Sequence, residues 1–154
     1  MTLDKIKTIG DLRKIIDGMD DDFMIEMRVR TKVSDEELEK RQYKYPYDTE
    51  YFNGVEMDDI CTSDRVLCLG VEIGNTSIDG DIINNIGTLK KRTESLDDDF
   101  CIEMRVRTKL SDEELMNSWS PYKTEYFIGF ELDDIGYSDK VICFSVKQGK
   151  GKIE

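Results

Sequence analysis

The chain has no histidine, only two prolines and a single tryptophan among its 154 residues. Without histidine there can be no Ser-His-Asp triad, no Cys-His pair and no His-ligated zinc. Long apolar runs are missing as well. Nothing approaches the ~18–20 residues of a membrane span, and the N-terminus lacks the apolar centre of a secretory signal. A cytoplasmic protein with no membrane partner is therefore expected. Cysteine is sparse: Cys61, Cys68, Cys101 and Cys143, no two at C-x-x-C spacing. That pattern predicts reduced, mostly buried thiols rather than a disulfide framework, a redox motif or a metal site. Positive charge is in deficit, with 22 Lys+Arg against 34 Asp+Glu and a formal net charge of −12. A general nucleic-acid binder needs the opposite balance, so no direct nucleic-acid contact is expected.

What is present is an internal repeat. Residues 8–38 align with 85–115 at an offset of 77, and 21 of those 31 positions are identical. The run Ile25-Glu26-Met27-Arg28-Val29-Arg30-Thr31-Lys32 returns as Ile102 through Lys109. A two-residue deletion then lowers the offset to 75, so that Pro46-Tyr47 meets Pro121-Tyr122 and Cys68 meets Cys143. The expected organisation is repeat 1 over 1–74, a linker over 75–80, repeat 2 over 81–149 and a flexible tail over 150–154.

Each copy reads as helix, strand, short helix, strand, strand. Thr8-x-x-Asp11 predicts a capped helix start, followed by Ile9, Leu12, Ile15, Ile16 and Met19 at helical spacing. Arg92 and Thr93 replace the Ile15-Ile16 pair in the second copy, which predicts a narrower buried stripe. Phe23, Ile25, Met27, Val29 and Thr31 alternate with Met24, Glu26, Arg28, Arg30 and Lys32. A period of two with one charged face predicts a sheet covered on one side, with antiparallel pairing. Ser34-Asp35-Glu36-Glu37 and its twin at Ser111 predict short capped helices. Second strands are expected over 51–57 and 126–132, and third strands over 66–73 and 141–146. One helix on a three-stranded meander is small for an independent unit. The predicted architecture is thus α+β: a tandem duplication with antiparallel sheets and an approximate two-fold axis, as the fusion of an old homodimer would leave it.

Two groups of residues are candidates for function. Arg28, Arg30 and Lys32, with Arg105, Arg107 and Lys109, form outward basic stripes. These are either neutralised by Glu26, Glu56, Glu103 and Glu131, supplied by neighbouring strands as cross-strand partners, or serve as an anion platform for a nucleotide or second messenger. Tyr43, Tyr45 and Tyr47, with Trp119 and Tyr122, concentrate aromatic rings in loops beside proline. Tyr51 and Tyr126 are expected to close the rim of the core, while the others are candidates for partner contact. The acidic clusters Asp20-Asp21-Asp22, Asp58-Asp59 and their twins fall at element ends, where turns, caps and solubility account for them. No metal site or cofactor is expected.

The opening Thr8-Ile9-Gly10-Asp11-Leu12-Arg13-Lys14-Ile15-Ile16, followed by Asp20-Asp21-Asp22-Phe23, resembles the start of many small uncharacterised proteins encoded by bacterial phages and mobile elements. The resemblance covers about the first 25 residues of each copy and transfers no catalytic residue. It implies a small acidic inhibitor of a host system, such as an anti-CRISPR or other anti-defence protein. The expected function is a non-enzymatic protein–protein interaction module acting by occupying a partner's surface. The alternatives are a small anionic-ligand binder and a nucleic-acid mimic. A homodimer of the duplicated chain is compatible with each.

Overall fold

The computed structural model describes residues 5–41, 45–73, 82–117, 121–148 and, for the backbone alone, 152–153. The segment read as the linker, together with Tyr43 and Trp119, lies outside the described residues.

The chain is α+β, with strands β1 (Lys5–Ile6), β2 (Met24–Lys32), β3 (Tyr47–Phe52), β4 (Val55–Cys61), β5 (Val66–Ile73), β6 (Ile82–Ile83), β7 (Cys101–Lys109), β8 (Tyr122–Ile128), β9 (Phe130–Gly136), β10 (Val141–Lys147) and β11 (Lys152–Ile153). Helices are α1 (Ile9–Ile16), α2 (Asp35–Lys40), α3 (Ile86–Thr93) and α4 (Asp112–Leu115). The strands form two mixed sheets, ordered β1-β9-β10-β2-β3 and β11-β8-β7-β5-β4-β6. Each sheet therefore draws strands from both 1–74 and 81–149. Lys152–Ile153, in the segment read as a tail, pairs antiparallel with β8.

The expectation of antiparallel sheets is corrected at their centres. β10 runs parallel to β2 from Val141↔Met24 to Lys147↔Arg30, and β5 runs parallel to β7 from Val66↔Cys101 to Ile73↔Thr108. Alternation reveals that one face is covered, but it carries no information about strand direction. Helix α3 lies between β5 and β7 in the chain, as the long crossover of a parallel pair requires.

A second correction concerns the strands expected over 51–57 and 126–132. β3 lies in the first sheet and β4 in the second, and likewise β8 lies in the second and β9 in the first. The chain crosses between sheets at Gly54 (φ 103°) and Gly129 (φ 76°). A Cβ there would stand 2.3 Å from the Ile83 carbonyl oxygen at Gly54 and 1.9 Å from that of Ile6 at Gly129. Only glycine accepts both the backbone conformation and the contact.

One apolar core joins the two sheets with helices α1 and α3, while α2 and α4 bury no residue. The first sheet contributes Ile25, Met27, Val29, Ile142, Phe144 and Val146, and the second Leu67, Leu69, Val71, Ile102, Met104 and Val106. The sheets thus meet through their apolar faces. At one end of the strands Gln148 touches Thr31 (2.5 Å) and Thr108 (3.5 Å), linking the two sheets. Helix α1 buries Ile9, Leu12 and Ile16 beneath a Thr8–Asp11 capping box. In α3 the buried positions are Ile86, Leu89 and Thr93. Thr93 occupies the place of Ile16 and satisfies its hydroxyl on the Leu89 carbonyl at 2.8 Å. The helices clasp each other reciprocally. Arg13 donates to the Thr93 and Leu96 carbonyls, both at 2.7 Å, and its counterpart Lys90 donates to the Met19 carbonyl at 2.8 Å.

Candidate functional site: the outer faces of the sheets

Because the sheets pack through their apolar faces, their polar faces point away from each other into solvent. β2 places Glu26, Arg28, Arg30 and Lys32 on the first outer face, and β7 places Glu103, Arg105, Arg107 and Lys109 on the second. The arginines are engaged internally. Arg28 meets Glu26 at 2.8 Å and Asp133 at 3.3 Å, and Arg30 also reaches Asp133. On the other sheet Arg105 meets Glu103 at 2.8 Å and Asp58 at 3.7 Å, and Arg107 pairs with Asp58. Glu56 lies 4.0 Å from Arg107.

The decisive carboxylates are thus Asp58 and Asp133, at positions the sequence reading assigned to element ends. Each sits where the strand register slips: between Met57 and Asp59 on β4, and opposite Cys143/Phe144 on β9. A β-bulge re-aims a side chain, and here it sends the carboxylate across the middle strand to the arginines beyond. The middle residue must be small for that reach. Gly70 fills the place in the second sheet, where a Cβ would lie 2.8 Å from both Arg107 Nη1 and Asp58 Oδ2. Ser145 fills it in the first and donates to Asp133 at 2.6 Å. The signal that could have revealed the bulges is a pair of adjacent acids, Asp58-Asp59 and Asp133-Asp134, breaking the alternation within a strand.

Cys143 and Cys68 complete the clusters. Cys143 donates to Glu26 at 3.3 Å and accepts from Arg28 at 3.2 Å. Cys68 donates to Glu103 at 3.4 Å and accepts from Arg105 at 3.2 Å. Burial, reinforced by the neighbouring glutamate, pushes each thiol up to about 11. Neither is a poised nucleophile, since the thiolate is the reactive form. Cys61 is half-buried and Cys101 exposed, which corrects the expectation of mostly buried thiols.

The aromatic residues lie over these clusters. Tyr51 stacks on Arg28 and Tyr126 on Arg105, each with the guanidinium carbon 5.6 Å from the ring centre. Tyr51 is 61% exposed, so it does not close the core rim as expected. Phe52 and Phe127, buried to 4% and 6% exposure, fill the core beside it. Tyr45, 50% exposed, accepts from Arg30 Nε at 3.2 Å and meets Tyr47 edge-on at 5.9 Å. Tyr47 carries Lys147 over its ring at 5.3 Å. At the equivalent place on the second sheet, Tyr122 donates to Glu72, and that bond raises the phenol's pKa. The structure therefore brings Tyr45 and Tyr47 together with Arg28, Arg30 and Lys32, and Tyr122 with Arg105, Arg107 and Lys109, on opposite sides of the molecule.

No protein-family model, curated protein or solved structure matches the chain. Among the described residues no group of three or more Cys, Asp or Glu side chains is arranged to hold a metal ion, and no helix is long and apolar enough to cross a membrane. An open groove of about 940 Å³ between α1 and α3 is lined in part by Arg13 and Lys90, both committed to backbone carbonyls.

Proposed function

We propose that the protein is a non-enzymatic docking module that occupies a partner protein's surface with the tyrosine-bearing outer face of a sheet. The observation that carries this reading is the exposure of Tyr51 and Tyr45 on one face, each held against an arginine already fixed by carboxylates. Rings held in this way lose little freedom on binding, and tyrosine and arginine are the residues that most often dominate interface energy. The reading extends to a cytoplasmic inhibitor that works by occupancy, in keeping with the resemblance to mobile-element proteins. It also takes the matching pairings of the two copies as the trace of a duplicated homodimer related by an approximate two-fold axis.

The anionic-ligand alternative rests on the same stripes. With four arginines already paired to carboxylates, Lys32 and Lys109 are the cations it would have to use. A photo-crosslinking amino acid at position 51, compared with one at the exposed Lys14 of α1, tests the docking reading in bacterial lysate. A discrete adduct from position 51 and none from position 14 is expected. Equal labelling from both positions, or none from position 51, would overturn it.

A further inference from the structure

The two outer faces descend from the same sequence pattern yet differ at one corner. On the first sheet Lys147 lies directly opposite Arg30 in the β10/β2 pairing, with Lys32 two residues further along β2. On the second sheet the residue opposite Arg107 is Glu72, two residues from Lys109. Arg30 is bound to Asp133, but neither Lys32 nor Lys147 enters an ion pair among the described residues. The first corner thus holds two ammonium groups not paired to a carboxylate, Lys32 and, over the Tyr47 ring, Lys147, beside the exposed Tyr45. The second holds an acid that already accepts the Tyr122 phenol.

Resting on the docking reading above, we infer that this corner of the first sheet binds an acidic peptide segment of a partner protein. Two lysines flanking rings fit spaced carboxylates on an extended chain, and the tyrosines add apolar contact between the charges. Charge also favours a short acidic segment over a nucleic acid. The molecule carries −12 overall, which repels a phosphate polymer running past the corner. A few carboxylates docked within about one Debye length of the lysines, roughly 8–10 Å, feel chiefly the local cations. The second face, with Glu72 in place of Lys147, does not take the same segment.

Fluorescence anisotropy with fluorescein-labelled hexaglutamate, and with fluorescein-labelled oligothymidylate as the competing class, tests this at an ionic strength of about 0.1 M, where the Debye length is about 10 Å. Saturable binding of hexaglutamate is expected, weakened about tenfold or more in Lys32→Glu/Lys147→Glu, where tenfold corresponds to about 1.4 kcal/mol. Glu72→Lys should raise the number of peptides bound from one towards two. No binding by the wild-type protein, unchanged binding by the double variant, or a preference for oligothymidylate would each overturn the assignment. Circular dichroism of each variant shows that a loss is not unfolding. If hexaglutamate fails while position 51 still crosslinks a partner, the docking reading stands and this inference falls.

Discussion

Two aspartates, two cysteines and one small residue per sheet carry most of the consequences at the scale of single residues. Asp133 is desolvated, which favours its neutral form. Hydrogen bonds from Arg30 and Ser145 and the charges of Arg30 and Arg28 outweigh that, and hold it below the usual carboxylate range. A carboxyl lowered on folding contributes stability above its unfolded pKa of about 4, which is lost as pH falls through the folded value. Asp133→Ala should cost about 1.5–3 kcal/mol, the scale for hydrogen bonds to charged groups. Asp133→Asn should flatten the acid limb of the stability profile. Urea unfolding between neutral pH and pH 3 measures both. The thiols have the opposite sign: raised from 9.0 to about 11, Cys68 and Cys143 favour the fold below pH 9, and that contribution fades between pH 9 and 11. In the folded protein Ellman's reagent should therefore react readily with Cys61 and Cys101 alone, and with all four cysteines in denaturant. Rapid reaction of Cys68 or Cys143 in the native state would contradict their burial.

At the scale of elements, the parts legible in the sequence were those governed by local chemistry. The alternation of 23–32 placed Ile25, Met27 and Val29 inward without error, and Thr8-x-x-Asp11 marked the start of α1. β5 was legible to its end residues. Non-local pairing was not. Asn53-Gly54 marks a break within Tyr51 to Met57, but a turn signal does not say that the chain leaves one sheet for another there. Asp58 and Asp133 looked like turn acids because a bulge alters where a side chain points, not which residue is present. The crossing glycines give the sharpest test of this level. Gly129→Ala must hold a left-handed backbone, at about 1–2 kcal/mol, and must also push its methyl against the Ile6 carbonyl. Its urea midpoint should fall well below the wild-type value. Gly18, whose added Cβ would meet nothing within 4 Å, supplies the control, and Gly18→Ala should be nearly neutral. Equal effects from the two substitutions would contradict the crossing.

For the whole molecule, the way the copies interlock decides both folding and binding. The two outer faces point in opposite directions, so one partner surface cannot engage both, and avidity on a single surface is not available to this chain. Interlocking also means that neither copy can satisfy its own sheets. Residues 1–80 alone would leave β2 without β10 and β5 without β7, exposing two long strand edges and the apolar faces they frame. They would also lose the Arg13 clasp on the Thr93 and Leu96 carbonyls. Each half is short enough that such losses remove most of its core. Expressed separately, 1–80 and 81–154 should show no cooperative unfolding and no near-ultraviolet circular dichroism. Mixed in equal amounts, they should recover both, with a midpoint that rises with concentration because association has become bimolecular. Dispersed, protease-resistant folding of either fragment by itself would show that the strand exchange is not what holds the native state together.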